Sequence, residues 1–201
     1  RAINALTLTM IELIDAKLGQ WRTRDDLVAL VLSGAGERGL CAGGDVVKVA
    51  NQSASYTDAS VGEYPQEFFS KEYRCDYHLH TFGKPVICWA DGICMGGGKG
   101  LMAAASHRVV TERSRLAMPE VNIGLFPDVG GSLFLNEMPG RAGLFMGVTG
   151  AHFNGADAMA LGVADHYIES TQYQSLIKAL LAGSYTSSPD DNRVVTDALG
   201  S

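Results

Sequence analysis

The sequence is short of positive charge, of aromatic side chains and of any cysteine pairing pattern. Sixteen lysines and arginines stand against 22 aspartates and glutamates, a formal net charge of −6. That balance argues against general nucleic-acid binding, which needs a basic surface to neutralise phosphates. No apolar run approaches the roughly 18 residues of a membrane span, and the opening residues do not read as a basic-then-apolar signal segment. The four cysteines, Cys41, Cys75, Cys88 and Cys94, lack CxxC spacing and read as reduced thiols of a cytoplasmic-type compartment. His78 and His80 lie two positions apart, which does not align them on one helix face, so no metal site is expected. Low-complexity blocks and fixed-period repeats are also missing, so the 201 residues read as one α/β domain over 1–183 with a polar, loose tail over 184–201.

What is present is an ordinary core, 46% hydrophobic, in alternating patterns. Leu6, Met10, Leu13, Ile14, Leu18 and Trp21 recur at helical spacing, predicting an amphipathic helix from Thr7 to about Gln20. LVALVLSG, Leu27 to Gly34, has the continuous apolar character of a strand buried on both faces. Asn51 to Gly62 reads as a mobile surface loop. EYPQEFFSKEYRCDYHLHTF predicts a helix with Pro65 in its first turn, KPVICWADG a second buried strand, and Gly98 to Ser106 a small-residue helix. HRVVTE and SRLAMPE predict short strands, and the stretches after Asp128, GRAGLFMGVTG, GADAMALG and TQYQSLIKALLAG predict helices, with a strand in VADHYIES. Alternating strands and helices imply α/β architecture. Both ends read as incomplete: no strand precedes the first helix, and no finishing element follows the last.

Two glycine motifs suggest nucleotide binding and fail. GAGERG, Gly34 to Gly39, matches GxGxxG after a strand, with Asp58 about twenty residues on, but LCAGGD continues the loop where a dinucleotide fold needs a helix. GGGKG resembles a phosphate-binding loop, which requires Gly at 93 and Ser or Thr at 100. The chain has Ile93 and Gly100. Bare backbone after a buried strand can instead aim N–H groups into a cleft. CAGGD and MGGGKG each follow an apolar strand, and one N–H from each could meet on a single oxygen. The plainer reading is close helix–strand packing.

MPEVNIGLFPDVGG adds two carboxylates, Glu120 and Asp128, in an apolar stretch. The plain reading makes Glu120 a strand-end residue and Asp128 the N-cap of a helix beginning near Val129. Two acids in such surroundings are costly unless paired, hydrogen-bonded or functional, and an apolar setting suits a carboxylate to acid–base or nucleophilic use.

Together, RAINALT, GERGLCAGGDV, FFSKEYRCDYHLHT, KPVICWADGICMGGGKGL, HRVVTERSRLAMPEVNIGLFPDVGGSLFL and GVTGAHFNGADAMALGVADHYI resemble the enoyl-CoA hydratase/isomerase (crotonase) superfamily, and within it the 3-hydroxyisobutyryl-CoA hydrolase group. The resemblance runs from Arg1 to about Glu169. It implies a crotonase-type spiral of ββα units, lacking some N- and C-terminal elements here, with an acyl-CoA substrate and possible homo-oligomers. Carried over by motif, Gly44 and Gly97 would be the oxyanion donors. Hydratases of the family use two glutamates, one at the position of Gly100 and one at Glu120, so the usual water addition lacks its first acid here. The hydrolase group keeps acids at Glu120, Asp128 and Glu72, where Glu72 alone would read as a solvated helix residue. The implied reaction is thioester hydrolysis as in valine breakdown, with Glu120 attacking or activating water, Asp128 positioning, Glu72 helping to hold substrate, and no metal or redox cofactor. A hydratase or isomerase, or a non-catalytic acyl-CoA-binding scaffold, is the alternative. Lys48 could meet a CoA phosphate, though a solvated lysine is the simpler reading.

Overall fold

Helix α1 (Leu8–Arg22) starts where extended Thr7 accepts the Met10 N–H on its hydroxyl, and it buries Ile11 and Leu18 on one face. The chain then alternates between two sheets. In order come β1 (Leu30–Ser33), β2 (Gly39–Cys41), α2 (Val46–Ser53), α3 (Glu63–His80), β3 (Val86–Ala90), β4 (Ile93–Met95) and α4 (Gly97–Ala104). They are followed by β5 (His107–Val110), β6 (Arg115–Ala117), α5 (Gly131–Glu137), α6 (Ala142–Thr149), β7 (Phe153–Asn154), α7 (Gly155–Ala160), β8 (His166–Tyr167), α8 (Tyr173–Ala182) and α9 (Asp191–Gly200). This computed structural model describes residues 3–53, 63–186, 188 and 190–200.

One sheet has the order β1-β3-β5-β8, the other β2-β4-β6-β7. The first is parallel throughout, and the second is parallel except that β7 runs against β6. Each of the first three strand pairs therefore gives one strand to each sheet, and helices follow the first two. This is the ββα spiral of the crotonase fold, and it has a functional consequence. The loops leaving β2 and β4 come from parallel neighbours, so both emerge at the same edge.

The larger core lies among the sheets, α1, α3 and α4, and holds Phe68, Cys88, Cys94, Met102, Leu116 and Met118 almost without exposed surface. A smaller one packs Ile87, Trp89 and Val109 of the first sheet under Leu176 and Leu180 of α8 and Val195 and Leu199 of α9. All four cysteines are buried and free.

Three expectations change. The β1 region is not buried on both faces: its strand begins at Leu30, and Val31 is 38% exposed. Val31 is in register with Ile87, on the face that α8 and α9 cover over the inner strands but leave open at this edge. The segment expected to be a loose tail forms α9, because Val195 and Leu199, one helical turn apart, close the smaller core. Asn51 to Ser53 finish helix α2 rather than opening a loop, and the remainder of that expected loop, residues 54–62, lies outside the described residues.

Candidate active site

Gly44 and Gly97 lie close together where the loops after β2 and β4 emerge. Leu6 pairs with Gly44 as a parallel bridge, its N–H donating to the Gly43 carbonyl (2.9 Å) and its carbonyl accepting the Asp45 N–H (2.8 Å). That pattern uses the groups on either side of Gly44, so the Gly44 N–H turns away from the Leu6 segment. Gly97 is the first residue of α4, and its N–H is among those a helix leaves without an internal partner. A Cβ built on Gly97 would lie 3.5 Å from the Gly44 nitrogen and would collide with the Glu72 carboxyl. Glycine at 97 is what leaves room for that acid.

Three carboxyl groups approach the pair. On α3, Pro65, Phe68, Glu72, Cys75 and Leu79 are buried at steps of three and four residues. Glu72 thus occupies a core-facing position and is only 3% exposed, contrary to its reading as a solvated helix residue. Glu120 opens a 3-10 turn, Glu120–Ile123, directly after β6 and Pro119, and is also buried. A Cβ on Gly96 would lie 2.9 Å from its Oε1. Asp128, in the loop before α5, accepts a hydrogen bond from the Tyr73 hydroxyl at 2.7 Å. A cavity of about 240 Å3 is lined by Gly44, Gly97, Glu72, Glu120 and Asp128 together.

Burial dominates the electrostatics. It pushes Glu72 up to about 8, helped by the charges of Asp128 and Glu120. Burial also raises Glu120 to about 7, opposed by a hydrogen bond to its own backbone and reinforced by Asp128. Glu72 Oε1 and Glu120 Oε2 have no hydrogen-bond partner among the described residues. The site therefore sets the Gly44 and Gly97 backbones beside two carboxyls, Glu72 and Glu120, able to hold or accept a proton near neutral pH.

Gly100 lies farther along α4. It carries no acid, and its space is taken: a Cβ there would fall 2.5 Å from Val129 Cβ and 3.1 Å from Asp76 Oδ2. Val129 has a φ of 43°, a strained left-handed conformation for a β-branched residue. It follows Asp128 directly, so its packing on Gly100 helps fix the loop that holds the acid. The N-cap expectation for Asp128 is wrong. Helix α5 starts at Gly131 after Gly130, and Asp128 contributes its backbone carbonyl to Gly131 while its carboxylate takes Tyr73.

The lysines take no part in this cluster. Lys48 is exposed, with its ammonium 4.7 Å from the Tyr64 ring centre. Lys99, the lysine of GGGKG, is fully buried with its Nζ 4.1 Å from the Phe134 ring centre, and burial lowers it to about 8. A lysine facing the core cannot line a phosphate cradle at the surface. Tyr73, Asp76 and Val129 were not singled out in the sequence. The available signals were that Tyr73 adjoins Glu72 and that Asp76 follows Glu72 by one helical turn.

Comparison with known proteins agrees with this geometry. The family described as enoyl-CoA hydratase/isomerase matches residues 1–200. The protein named 3-hydroxyisobutyryl-CoA hydrolase, mitochondrial, from Danio rerio is 41% identical over 181 residues, 90% of this chain and 46% of that protein. The small ribosomal subunit protein mS47 of Neurospora crassa is 40% identical over 173 residues, 86% of this chain and 34% of that one. The crystal structure of a carnitinyl-CoA dehydratase from Mycobacterium thermoresistibile superposes with a TM-score of 0.86 at 41% identity, covering 99% of this chain and 54% of that one. The chain spans about half the length, or less, of the curated relatives it matches. With its ββα spiral, paired glycine loops and full-length family match, the chain belongs to the enoyl-CoA hydratase/isomerase family.

Proposed function

We propose that this chain carries the catalytic site of a thioester hydrolase acting on a short branched 3-hydroxyacyl-CoA, with 3-hydroxyisobutyryl-CoA as substrate and 3-hydroxyisobutyrate and CoA as products. The observation that carries the reading is Gly100. The position at which family hydratases hold a glutamate is filled by Val129, while Glu72, Glu120 and Asp128 border the cavity beside Gly44 and Gly97. The hydrolase names of the curated relatives support it.

In the proposed reaction the thioester oxygen accepts hydrogen bonds from the Gly44 and Gly97 N–H groups. Such donors contribute about 3–4 kcal/mol each to oxyanion stabilisation in other enzymes. Glu120 delivers the attack, through its own oxygen to a mixed anhydride or by taking the proton of a water. The carbon–sulfur bond breaks and the thiolate takes up a proton; on the water route the acyl group leaves directly as the acid, and on the anhydride route a water then cleaves the anhydride, releasing the acid and restoring Glu120. Asp128, held by Tyr73, orients water or the acyl hydroxyl, and Glu72 stays protonated beside the carbonyl. None of these steps calls for a metal or redox cofactor. The relatives named hydrolases carry the word mitochondrial in their names, so the cytoplasmic expectation gains no support from them.

Thiol release tests the reading. CoA should appear from 3-hydroxyisobutyryl-CoA and not from crotonyl-CoA, and Glu120→Gln should slow it by about 100- to 10,000-fold while CoA-ester binding persists. Rapid hydration of crotonyl-CoA without thiol release would sink the assignment. The alternative is a non-catalytic acyl-CoA-binding scaffold, and ester binding without turnover in the full-length protein would favour it.

A further inference from the structure

The proposed mechanism gives Glu120 a task and leaves the proton on Glu72 without one. Glu72 borders the cavity of about 240 Å3 together with Gly44, Gly97, Glu120 and Asp128. Its Oε1 stands beside the two glycines themselves. A Cβ built on Gly97 would fall 2.4 Å from that oxygen, and one built on Gly44 would fall 3.7 Å from it. Oε1 has no hydrogen-bond partner among the described residues. A buried carboxyl left unmatched is costly unless a ligand supplies the partner. A ligand oxygen that meets Gly44 and Gly97 meets this carboxyl as well, and the thioester oxygen takes that place in the proposed reaction.

The surroundings decide which form of Glu72 is present there. The ionisable groups around it are Tyr73, Cys75 and Asp76 on α3 itself, Cys41 on β2, Glu120 on the turn after β6 and Asp128 in the loop before α5. None of the six is a cation, so nothing among them offsets a negative charge. Burial pushes Glu72 up to about 8 and Glu120 to about 7. Two carboxyls whose environments separate them in this way divide into a base and an acid. Glu120 loses its proton first, and its charge then helps Glu72 keep the other. A neutral carboxyl donates one O–H. An ionised one can only accept, and it would repel an oxygen that is gaining negative charge.

We infer that Glu72 is a catalytic residue of the oxyanion site, its carboxyl O–H bonding the thioester oxygen as a third donor beside Gly44 and Gly97. The bond tightens as the oxygen becomes negative, and the proton stays on Glu72 throughout. This rests on the hydrolase reading for its rates, and a bound carbonyl reads it without turnover. Glu72→Leu removes the donor and should lower kcat for thiol release from 3-hydroxyisobutyryl-CoA by about 100- to 1,000-fold. Glu72→Gln keeps an N–H donor and should stay within about 10-fold at pH 7. In the unmodified protein kcat/KM should fall about tenfold per pH unit above about 8, as Glu72 ionises, and the glutamine variant should lose that fall. A leucine variant with unchanged kcat overturns the inference, as does an alkaline fall that glutamine leaves in place. A glutamine variant as slow as the leucine one also overturns it, because Glu72 would then give its proton away to the thiolate. If circular dichroism shows the leucine variant unfolded, Glu72→Met is read by the same criteria. The second measurement uses a 13C-carbonyl ketone analogue of the ester, with a methylene in place of the sulfur. Its infrared carbonyl stretch should move to lower frequency on the unmodified protein and the glutamine variant, and less on the leucine variant. If the unmodified protein releases no thiol, the hydrolase reading fails and this comparison alone decides; an equal shift on all three proteins overturns the role of Glu72.

Discussion

Glu72→Gln should make the protein more stable at pH 7 while changing it little near pH 4. In the folded chain burial raises Glu72 to about 8, whereas an unperturbed glutamate titrates at 4.5. Between those values the folded carboxyl keeps its proton and the unfolded one has lost it, so unfolding releases a proton. Stability of the unmodified protein therefore falls as pH rises through this window. One proton's difference corresponds to about 1.4 kcal/mol per pH unit, which from pH 5 to pH 7 integrates to about 2–3 kcal/mol. The glutamine keeps the shape and removes the titration, along with the repulsion that Asp128 and Glu120 exert on an ionised Glu72. Urea unfolding at pH 5, 6 and 7 reads the difference directly. With a slope of about 2 kcal/mol/M, the gap between the two midpoints should widen by about 1 M across that range. Midpoints that stay parallel with pH would refute the claim that this carboxyl is held neutral by burial, because every other titrating group is common to both proteins.

Two further substitutions probe the glycines. Gly97→Ala sets a methyl against the Glu72 carboxyl and beside the Gly44 nitrogen, and should cut the rate of thiol release by about 100-fold or more with a smaller change in ester binding; an unaffected kcat would remove Gly97 from the oxyanion site. Gly100→Glu should destabilise the fold by about 1–3 kcal/mol through its overlap with Val129 and Asp76, and it should not create crotonyl-CoA hydration. Hydration by that variant, measured as loss of the enoyl absorbance, would mean that the missing glutamate alone separates the two chemistries.

Periodicity and residue chemistry carried much of this protein. The apolar steps of α1, the buried run of β3 and the small residues of α4 follow from the local pattern, because a helix or a fully buried strand leaves a period that short windows reveal. Ile93 and the missing hydroxyl at Gly100 disposed of the phosphate-loop reading, and the absence of an acid at Gly100 was equally visible. Glu72 was half legible. Its place in the α3 stripe is a pattern signal, yet a lone glutamate in a helix more often faces water. Short elements were harder: α9 needed the sheet face that Val195 and Leu199 cover, and β1 needed to be known as an edge strand. Only the tertiary structure set the Gly44 N–H beside Gly97, because their nearness comes from the parallel pairing of β2 with β4, segments more than fifty residues apart. The same holds for Tyr73 on Asp128 and for Val129 filling the space at Gly100. The chain determined which residues could do the chemistry, through composition and local period. Which of them share a cavity, and which acids lose their water, was decided by long-range packing, since burial and proximity belong to the assembled fold and not to any one segment.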